Sequence, residues 1–268
     1  MNHLITKVRH EPRRRLVQVH SAEQITPGMV RVVLAGEELD GFLSAAHDDH
    51  VKVFFPNPGE EKPLLPGLGP NGPVWPEGLA RPAMRDYTPR HFDATRRQLT
   101  IDFALHATGP ASDWARQASR GQYLGLGGPR GSFVVSDDFD WYLLAGDEAA
   151  LPAIARRLEE LPAGSKTRII IEVENKDEEQ ELSTRSDARI VWVHRNGAPA
   201  GEAAPLLEAL WDMSLPSGDG YSWVAAESEV AKTVRRYLLD QRGVRKDWLK
   251  AAGYWRKGAS AVHETHTD

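Results

Sequence analysis

The sequence predicts two domains of different fold classes: an N-terminal antiparallel β-barrel, then a C-terminal α/β domain with a mostly parallel sheet. A length of 268 residues is enough for two domains of ordinary size. The first half alternates short β-rich runs with turn signals, as antiparallel barrels and sandwiches do. The second half alternates strand-like runs with helical patterns, which indicates a parallel sheet with crossover helices. We therefore predict domains at residues 1–137 and 138–268.

Five strands are predicted in the N-terminal half. In the second of them Val30, Val32 and Leu34 recur at every second position, which is the spacing of a strand with one buried face. The predicted strands are Leu16–Val19, Met29–Ala35, His50–Phe55, Gln98–Leu105 and Tyr123–Gly125.

The C-terminal half predicts four strands and three helices. The last helix has apolar residues at helical spacing and is followed by Gly243, a residue type that favours helix C-termini. The predicted strands are Trp141–Ala145, Arg168–Val173, Arg189–Val193 and Tyr221–Ala225. The predicted helices are Ala149–Leu161, Ala204–Trp211 and Ser228–Gln241.

One segment of the N-terminal half, residues 56–82, is rich in proline and glycine. It holds eight prolines and is predicted to be a loop without regular structure. A loop of this length inside a compact domain is more often a cover over a functional site than a plain connection. A mobile surface excursion remains the alternative interpretation.

Composition excludes several classes of protein. The absence of cysteine excludes disulfide bonds, thiolate zinc sites, cysteine-ligated iron–sulfur clusters and a cysteine nucleophile. A formal net charge of -5 argues against nucleic-acid binding. No apolar stretch approaches the roughly 18 residues of a membrane span, and the basic start lacks the apolar core of a secretory signal. We expect a cytoplasmic monomer with no nucleic-acid partner, no membrane span and no resident metal site.

The segment from Arg85 to Arg90, RDYTPR, carries the most specific chemistry. In a strand Arg85 and Tyr87 project to the same face. An arginine can hold a pyrophosphate, a tyrosine ring offers a flat apolar surface to an aromatic ring, and the Thr88 hydroxyl can bind a heteroatom beside it. These three side chains together fit a flavin with a diphosphate tail. An ordinary barrel strand is the alternative.

The RDYT segment resembles the flavin-binding R-x-Y-[ST] motif of the ferredoxin reductase superfamily. Further blocks resemble its siderophore-interacting branch, the flavin-dependent ferric-siderophore reductases, and follow that family's order over nearly the whole chain. They are HVK (50–52), RPAMRDYTPR (81–90), DFALH (102–106), GPASDWA (109–115), GPRGSF (128–133), YLLAGDEAALPAI (142–154), WVHR (192–195), WVAAES (223–228) and GYWRKG (253–258). The resemblance implies an FAD-binding barrel followed by a domain that binds NADPH or NADH.

In the N-terminal domain the resemblance implies the FAD site. Tyr87 and Thr88 would hold the flavin ring while a hydride passes from nicotinamide C4 to flavin N5, and Arg85 would bind the FAD diphosphate. Trp114 would begin a short helix. The other implied residues are Asp102, Phe103 and His106, which would line the flavin pocket, and the turn formed by Gly109, Pro110, Ala111 and Ser112, which would present backbone N–H groups to the diphosphate.

In the C-terminal domain the resemblance implies a nicotinamide-nucleotide site that contains six residues. Arg195 would contact a 2′-phosphate and so favour NADPH, and Trp255 would stack near the flavin, unless it is a plain core aromatic. Carboxylates near phosphates repel them, so we expect Asp147 and Glu148 to meet hydroxyls or amides, or to cap the next helix. The implied residues are Gly146, Asp147, Glu148, Arg195, Glu227 and Trp255.

The resemblance implies an NAD(P)H-dependent enzyme that reduces Fe(III) in a siderophore to Fe(II) and thereby releases the iron. Lys52, Arg130 and Arg256 would attract the anionic siderophore, and FAD would be the redox centre because no cysteine can hold an iron–sulfur cluster. A general NAD(P)H:flavin or ferredoxin-type reductase with a protein acceptor is one alternative. A non-catalytic carrier of flavin or ferric siderophore is another, motivated by Ala226 where the family has glycine.

Overall fold

The computed structural model describes residues 3–69, 72–259 and 264–266. It divides into two compact units: one runs from Thr6 to Val134, and the other runs from Val135 onward and includes the N-terminal residues up to Ile5. Within the described residues, the helices are too short or too polar to cross a membrane.

The first unit is built on a seven-stranded antiparallel half-barrel, which confirms the predicted N-terminal fold class. All five predicted strands are present, with the strand order β7-β4-β10-β2-β3-β9-β8, and β1 pairs separately with β11. Its strands are β1 (Ile5–Arg9), β2 (Arg14–Thr26), β3 (Met29–Ala35), β4 (Val51–Phe54), β5 (Gly67–Gly69), β6 (Gly72–Val74), β7 (Met84–Tyr87), β8 (His91–Asp93), β9 (Gln98–Ala104), β10 (Tyr123–Gly127) and β11 (Gly131–Val135). Its helix is α1 (Pro110–Arg116), and a 3-10 turn spans Glu37–Leu39.

Alternate residues of these strands form the core of the first unit. Val30, Val32 and Leu34 are all buried, as the period-two pattern predicts. They pack with the neighbouring strand β9 of the same sheet, in which Ile101 and Phe103 are fully buried. The buried face fixes the register, because a slip of one residue would turn these side chains to solvent.

The proline-rich segment differs from its prediction, since residues 56–82 contain the β5–β6 hairpin. The segment also packs on the half-barrel. A Cβ added to Gly125 of β10 would lie 2.3 Å from Leu65 Cδ2, and the rings of Trp75 and Phe54 are 6.2 Å apart. Glycine in β10 therefore gives the segment a surface on which to pack, a contact that composition alone does not predict.

The second unit contains the predicted mostly parallel sheet, in the order β14-β13-β12-β15-β16-β17 with only β17 antiparallel. All predicted strands and helices are confirmed; α4 ends at Asp240, and Gly243 has a φ of 65°. Its strands are β12 (Trp141–Gly146), β13 (Lys166–Val173), β14 (Asp187–His194), β15 (Gly220–Glu227), β16 (Leu249–Trp255) and β17 (Glu264–His266). Its helices are α2 (Leu151–Glu160), α3 (Ala204–Asp212) and α4 (Ser228–Asp240), with 3-10 turns at Lys176–Glu178 and Lys246–Trp248.

Candidate functional site

Strand β7 carries the flavin-binding motif at the edge of the half-barrel. Its partner is β4, with Val53 opposite Arg85 and Val51 opposite Tyr87. The Arg85 guanidinium donates a hydrogen bond to the Met84 carbonyl at 2.7 Å. No carboxylate of the described residues forms an ion pair with Arg85, so its positive charge is available to an anionic ligand.

The side chains beside Arg85 fit a flavin. The Tyr87 ring lies 4.4 Å from the Phe103 ring, centroid to centroid, and burial raises the pKa of the Tyr87 phenol, which therefore stays protonated. Thr88 is buried. Neither the Tyr87 nor the Thr88 hydroxyl has a hydrogen-bond partner in the described part of the chain. Two hydroxyls without partners beside an unneutralised arginine are donors that a heterocycle with a diphosphate tail could use.

Two of the predicted pocket residues, Asp102 and Phe103, are neighbours on β9. Asp102 of β9 is 4 % exposed and accepts two hydrogen bonds from the Arg31 guanidinium, at 2.7 and 2.8 Å. Phe103 is fully buried and packs against Tyr87 and Trp114. Their role as flavin-pocket residues stays a prediction; the contacts place Asp102 in a buried ion pair and Phe103 in the core.

The predicted diphosphate turn starts helix α1. The helix begins at Pro110, so the prediction that Trp114 begins it is wrong by four residues: proline is favoured at a first helical position. Gly109 has a φ of 139°, which a residue with a Cβ rarely adopts. The Ser112 hydroxyl accepts a hydrogen bond from the His106 backbone N–H at 2.9 Å, which fixes the loop that enters the helix. Ala111 is buried at the same turn.

The three predicted siderophore-binding cations have different surroundings. Lys52 forms an ion pair with Asp86, its neighbour across β4 and β7, with Nζ 2.8 and 3.0 Å from the two carboxylate oxygens. Arg130 is exposed on the turn between β10 and β11, and its carbonyl accepts a hydrogen bond from His10 N at 2.9 Å. Arg256 is exposed just after β16, in the second unit. Asp86 is thus an intramolecular competitor for the anion that Lys52 would bind.

The predicted nucleotide residues meet at the carboxyl edge of the parallel sheet. Ligands bind at this edge in open α/β sheets. Gly146 ends β12 in close contact with the next strand: a Cβ there would lie 2.2 Å from the Ala225 carbonyl oxygen and 2.5 Å from Ala150 Cβ. The glycine therefore allows the strand end and the following turn to pack closely.

We expect Gly146→Ala to lower the free energy of unfolding by about 1–3 kcal/mol, because the methyl group has no space against backbone. Gly36→Ala is the control: φ at Gly36 is 163°, and its Cβ would meet no atom nearer than 3.6 Å. Urea denaturation of both variants tests this. Equal midpoints for Gly146→Ala and the unsubstituted protein would contradict the close packing.

Asp147 follows Gly146 and is buried. Its carboxylate accepts three N–H groups: Ala149 N at 3.0 Å, Glu227 N at 3.1 Å and Trp255 Nε1 at 2.7 Å. Burial and the neighbouring charge of Glu148 raise the pKa of Asp147 to about 7. Asp147 thus holds the turn before α2 and also contacts β15 and β16, but it does not cap the helix: α2 begins at Leu151 without a side-chain cap, so the capping interpretation is wrong.

Arg195 lies in an acidic cluster formed by Glu148, Glu172 and Glu174. Its guanidinium is 2.8 Å from Glu148, 3.2 Å from Glu172 and 3.4 Å from Glu174, and the arginine side chain is 6 % exposed. These carboxylates occupy the donors that a 2′-phosphate would use. The contact between Arg195 and a 2′-phosphate stays a prediction, to which the structure adds a competing structural role.

Glu227 and Trp255 end neighbouring strands at the same edge. The Glu227 carboxylate accepts hydrogen bonds from Glu229 N and Val230 N and so caps α4, while its other oxygen accepts Lys257 N at 3.2 Å. Trp255 is half-buried. Ala226, the departure from the family pattern, packs in the hydrophobic core of this unit. Its methyl group therefore faces apolar side chains.

Sequence reasoning missed four residues that hold these sites: Arg31, Glu172, Glu174 and Gly201. Gly201, with a φ of 82°, lies so close to Trp255 that a Cβ there would be 3.1 Å from ring atom Cη2. The one available signal was Glu172, a carboxylate inside an otherwise apolar strand, RIIIEV. A buried carboxylate requires a partner, which here is Arg195.

Comparison with known proteins gives consistent matches to one family. Residues 18–133 match the family described as "Siderophore-interacting FAD-binding domain", and residues 139–258 match "Siderophore-interacting protein". The chain is 37% identical to the NADPH-dependent ferric-chelate reductase of Escherichia coli, over 93% of this chain and 95% of that protein. It is 33% identical to the ferric vibriobactin reductase ViuB of Vibrio cholerae, over 93% of each. The crystal structure of a siderophore utilization protein from T. fusca aligns with a TM-score of 0.89 and 40% identity, covering 97% of this chain and 98% of that one.

Proposed function

Since this chain belongs to the siderophore-interacting protein family, we propose that it is an FAD-dependent oxidoreductase that uses NADPH to reduce Fe(III) in a siderophore to Fe(II). The observation that carries the proposal is the strand β7 motif, where Arg85 has no carboxylate partner and Tyr87 and Thr88 have hydroxyls without partners among the described residues. Fe(II) binds oxygen-rich chelators more weakly than Fe(III), so reduction releases the metal.

FAD, when bound, would supply the redox chemistry that couples the two-electron oxidation of NADPH to the one-electron reduction of two Fe(III). The residues of this chain bind the cofactor and orient its flavin ring. Arg85 binds the diphosphate, with the backbone N–H groups of Gly109, Ala111 and Ser112 as further donors. Tyr87 and Thr88 hold the flavin ring, and the raised pKa of Tyr87 keeps its phenol a hydrogen-bond donor. Asp102 holds Arg31, and His106 leads into the diphosphate turn.

The nucleotide site is proposed at the carboxyl edge of the parallel sheet. Gly146 allows the end of β12 and the following turn to pack closely at that edge, and Asp147, Glu148 and Glu227 fix the loops and helices that surround it. The guanidinium N–H groups of Arg195 are suited to bind a 2′-phosphate, although three carboxylates compete for the same N–H groups. NADPH rather than NADH is proposed because the E. coli relative is named as NADPH-dependent. We further propose that the enzyme acts as a monomer in the cytoplasm.

Lys52, Arg130 and Arg256 are each proposed as a cation that attracts the anionic siderophore. We expect Lys52→Gln to raise KM for an anionic ferric siderophore roughly two- to fivefold, the effect of one partly exposed charge. Asp86→Asn is expected to lower the same KM, because Asp86 no longer neutralises Lys52. Both effects should shrink in high salt, which screens exposed charges. Steady-state kinetics at two ionic strengths measures them.

FAD content of both variants is the control, since Asp86 lies inside the flavin motif. Opposite shifts in KM at unchanged FAD content support Lys52 as a siderophore contact. Shifts of the same sign in both variants would contradict it.

The proposal is tested by mixing the FAD-loaded protein with NADPH, a ferric siderophore and a colorimetric Fe(II) chelator. We expect Fe(II) to form at a rate that depends on both NADPH and the siderophore. Faster electron transfer to flavodoxin or ferredoxin than to the siderophore would favour a general reductase. No flavin reduction by NADPH would favour a non-catalytic carrier.

A further inference from the structure

Trp255 is held on one side by a hydrogen bond and on the other by a glycine. Its indole Nε1 donates to Asp147 Oδ2 at 2.7 Å. The other end of the ring lies against Gly201, where a Cβ would approach Cη2 to 3.1 Å. Glu227 Cγ borders the same glycine, 3.2 Å from such a Cβ. The indole is therefore fixed in one orientation at the carboxyl end of β16, although it is only partly buried.

Asp147 is the polar anchor of this arrangement. Its carboxylate is buried, and three N–H donors surround it. No lysine, arginine or histidine of the described residues forms an ion pair with it. Two of the three donors, Ala149 N and Glu227 N, belong to the backbone of a turn and a strand end. The third, the indole of Trp255, is the only one of the three that a side-chain rotation can remove.

We propose that Asp147 is a positioning residue for nucleotide binding, because its carboxylate fixes the Trp255 indole as one wall of the NADPH site. The proposal rests on the proposed function, since it takes the carboxyl edge of the parallel sheet as the place where NADPH binds. Its new content is that this wall depends on a carboxylate, and therefore on a proton.

The groups that face Asp147 are mostly acidic. Glu148 is adjacent and Glu172 lies on β13, and both disfavour the charged form of Asp147; burial does so more strongly. Arg195 neutralises the negative charges of Glu148 and Glu172, with which it forms ion pairs, and forms none with Asp147. Glu227 on β15 accepts a hydrogen bond from the backbone N–H of Lys257, whose ammonium instead forms an ion pair with Glu202. Burial and the charges of Glu148 and Glu172 thus raise the pKa of Asp147 to about 7, and no cation of the described residues forms an ion pair with it.

Protonation of Asp147 weakens the wall. A protonated carboxyl carries no charge, so the three N–H groups lose a charged acceptor and their hydrogen bonds weaken. The indole is the donor that can leave without moving the backbone, so we expect the wall to loosen as the pH falls through neutral and NADPH binding to weaken with it.

The test measures KM for NADPH from mildly acidic to mildly alkaline pH in Asp147→Asn, Trp255→Phe, the double variant and Trp141→Phe. Asp147→Asn replaces one acceptor oxygen by a donor, and Trp255→Phe keeps a ring but removes its N–H. Trp141→Phe is the matched control, because its indole also donates one hydrogen bond, to the Gly218 carbonyl at 3.3 Å, at the opposite edge of the same sheet. FAD content is measured in each variant.

We expect each single site variant to raise KM on the order of tenfold at alkaline pH, the effect of one hydrogen bond to a charged group. The double variant should be no worse than either single one, and all three should lose the acid-side rise in KM. The control, Trp141→Phe, should show the same dependence of KM on pH as the unsubstituted protein, including any titration of the nucleotide's own phosphate.

A Trp255→Phe variant with an unchanged KM and an unchanged pH profile would overturn the proposal, and Asp147 would then be a purely structural residue. Additive effects in the double variant would overturn it as well. Both results are distinct from a failure of the proposed function. In that case, the unsubstituted protein would itself show no NADPH-dependent reduction of its flavin.

Discussion

Replacing Arg85 with alanine is expected to give a folded protein that binds FAD roughly 10- to 100-fold more weakly. Hydrogen bonds from a guanidinium to a phosphate are charge-assisted and contribute about 1.5–3 kcal/mol. The fold should tolerate the change, because Arg85 lies on an edge strand and its guanidinium donates a hydrogen bond to the carbonyl of the adjacent residue, Met84. The FAD affinity of Arg85→Lys should fall between those of the unsubstituted protein and Arg85→Ala, since an ammonium cannot reproduce a bidentate contact.

Quenching of FAD fluorescence on titration with the apoprotein measures this affinity, and circular dichroism checks the fold. Arg96→Ala is the matched control in the same unit, because Arg96 is mostly exposed and its ion pair with Asp93 is a surface one. Unchanged FAD affinity in Arg85→Ala would remove the observation on which the proposed function rests.

The second large effect concerns Arg195. We expect Arg195→Met to lower the free energy of unfolding by roughly 3–5 kcal/mol, because it leaves Glu172, which is 4 % exposed, without its compensating cation. Lys232→Met is the control in the same unit: Lys232 is 42 % exposed in its pair with Glu229, so we expect a loss below about 1 kcal/mol. Urea denaturation measures both.

The pH dependence of this loss has a definite sign. Burial already raises the pKa of Glu172, and Arg195 opposes that rise. Without Arg195 the folded-state pKa rises further, so the folded variant takes up a proton more readily than its unfolded chain. Its stability is then greatest below the pKa of an unfolded glutamate and falls as the pH rises through the folded-state value. We expect Arg195→Met to be partly rescued in mildly acidic buffer.

The same variant decides between two roles for Arg195. A stable Arg195→Met protein that loses affinity for NADPH but not for NADH would contradict the structural role and assign the arginine to the 2′-phosphate. A destabilised protein with an unchanged preference between the two nucleotides would assign it to the acidic cluster.

The fold could be predicted where burial follows a local period. Alternation in Met29–Ala35 and helical spacing in Ser228–Asp240 both reflect one buried face, and both elements were found within a residue of their predicted ends. Strand β16 was missed, because its sequence LKAAGYW mixes a lysine and a glycine with apolar residues. It becomes a strand through its pairing with β15, which is a long-range contact.

The candidate site likewise has one part that the sequence predicts and one part that it does not. The flavin motif is local, since Arg85, Tyr87 and Thr88 lie within four residues on one strand and its end. The cluster around Arg195 is not local: Glu172 is 23 positions away along the chain and Glu148 is 47. Parallel pairing of β12, β13 and β14 brings these ends to one edge. Only the register of the sheet determines that Arg195 meets carboxylates there.

An anaerobic single-turnover experiment tests the central claim most directly. The FAD-loaded protein is first mixed with one equivalent of NADPH, then with a ferric siderophore and a colorimetric Fe(II) chelator. The flavin absorbance is expected to bleach in the first step and to return in the second, with two Fe(II) formed for each NADPH consumed. A flavin that stays oxidised with NADPH, or that bleaches but returns no electrons to the ferric siderophore, would contradict it.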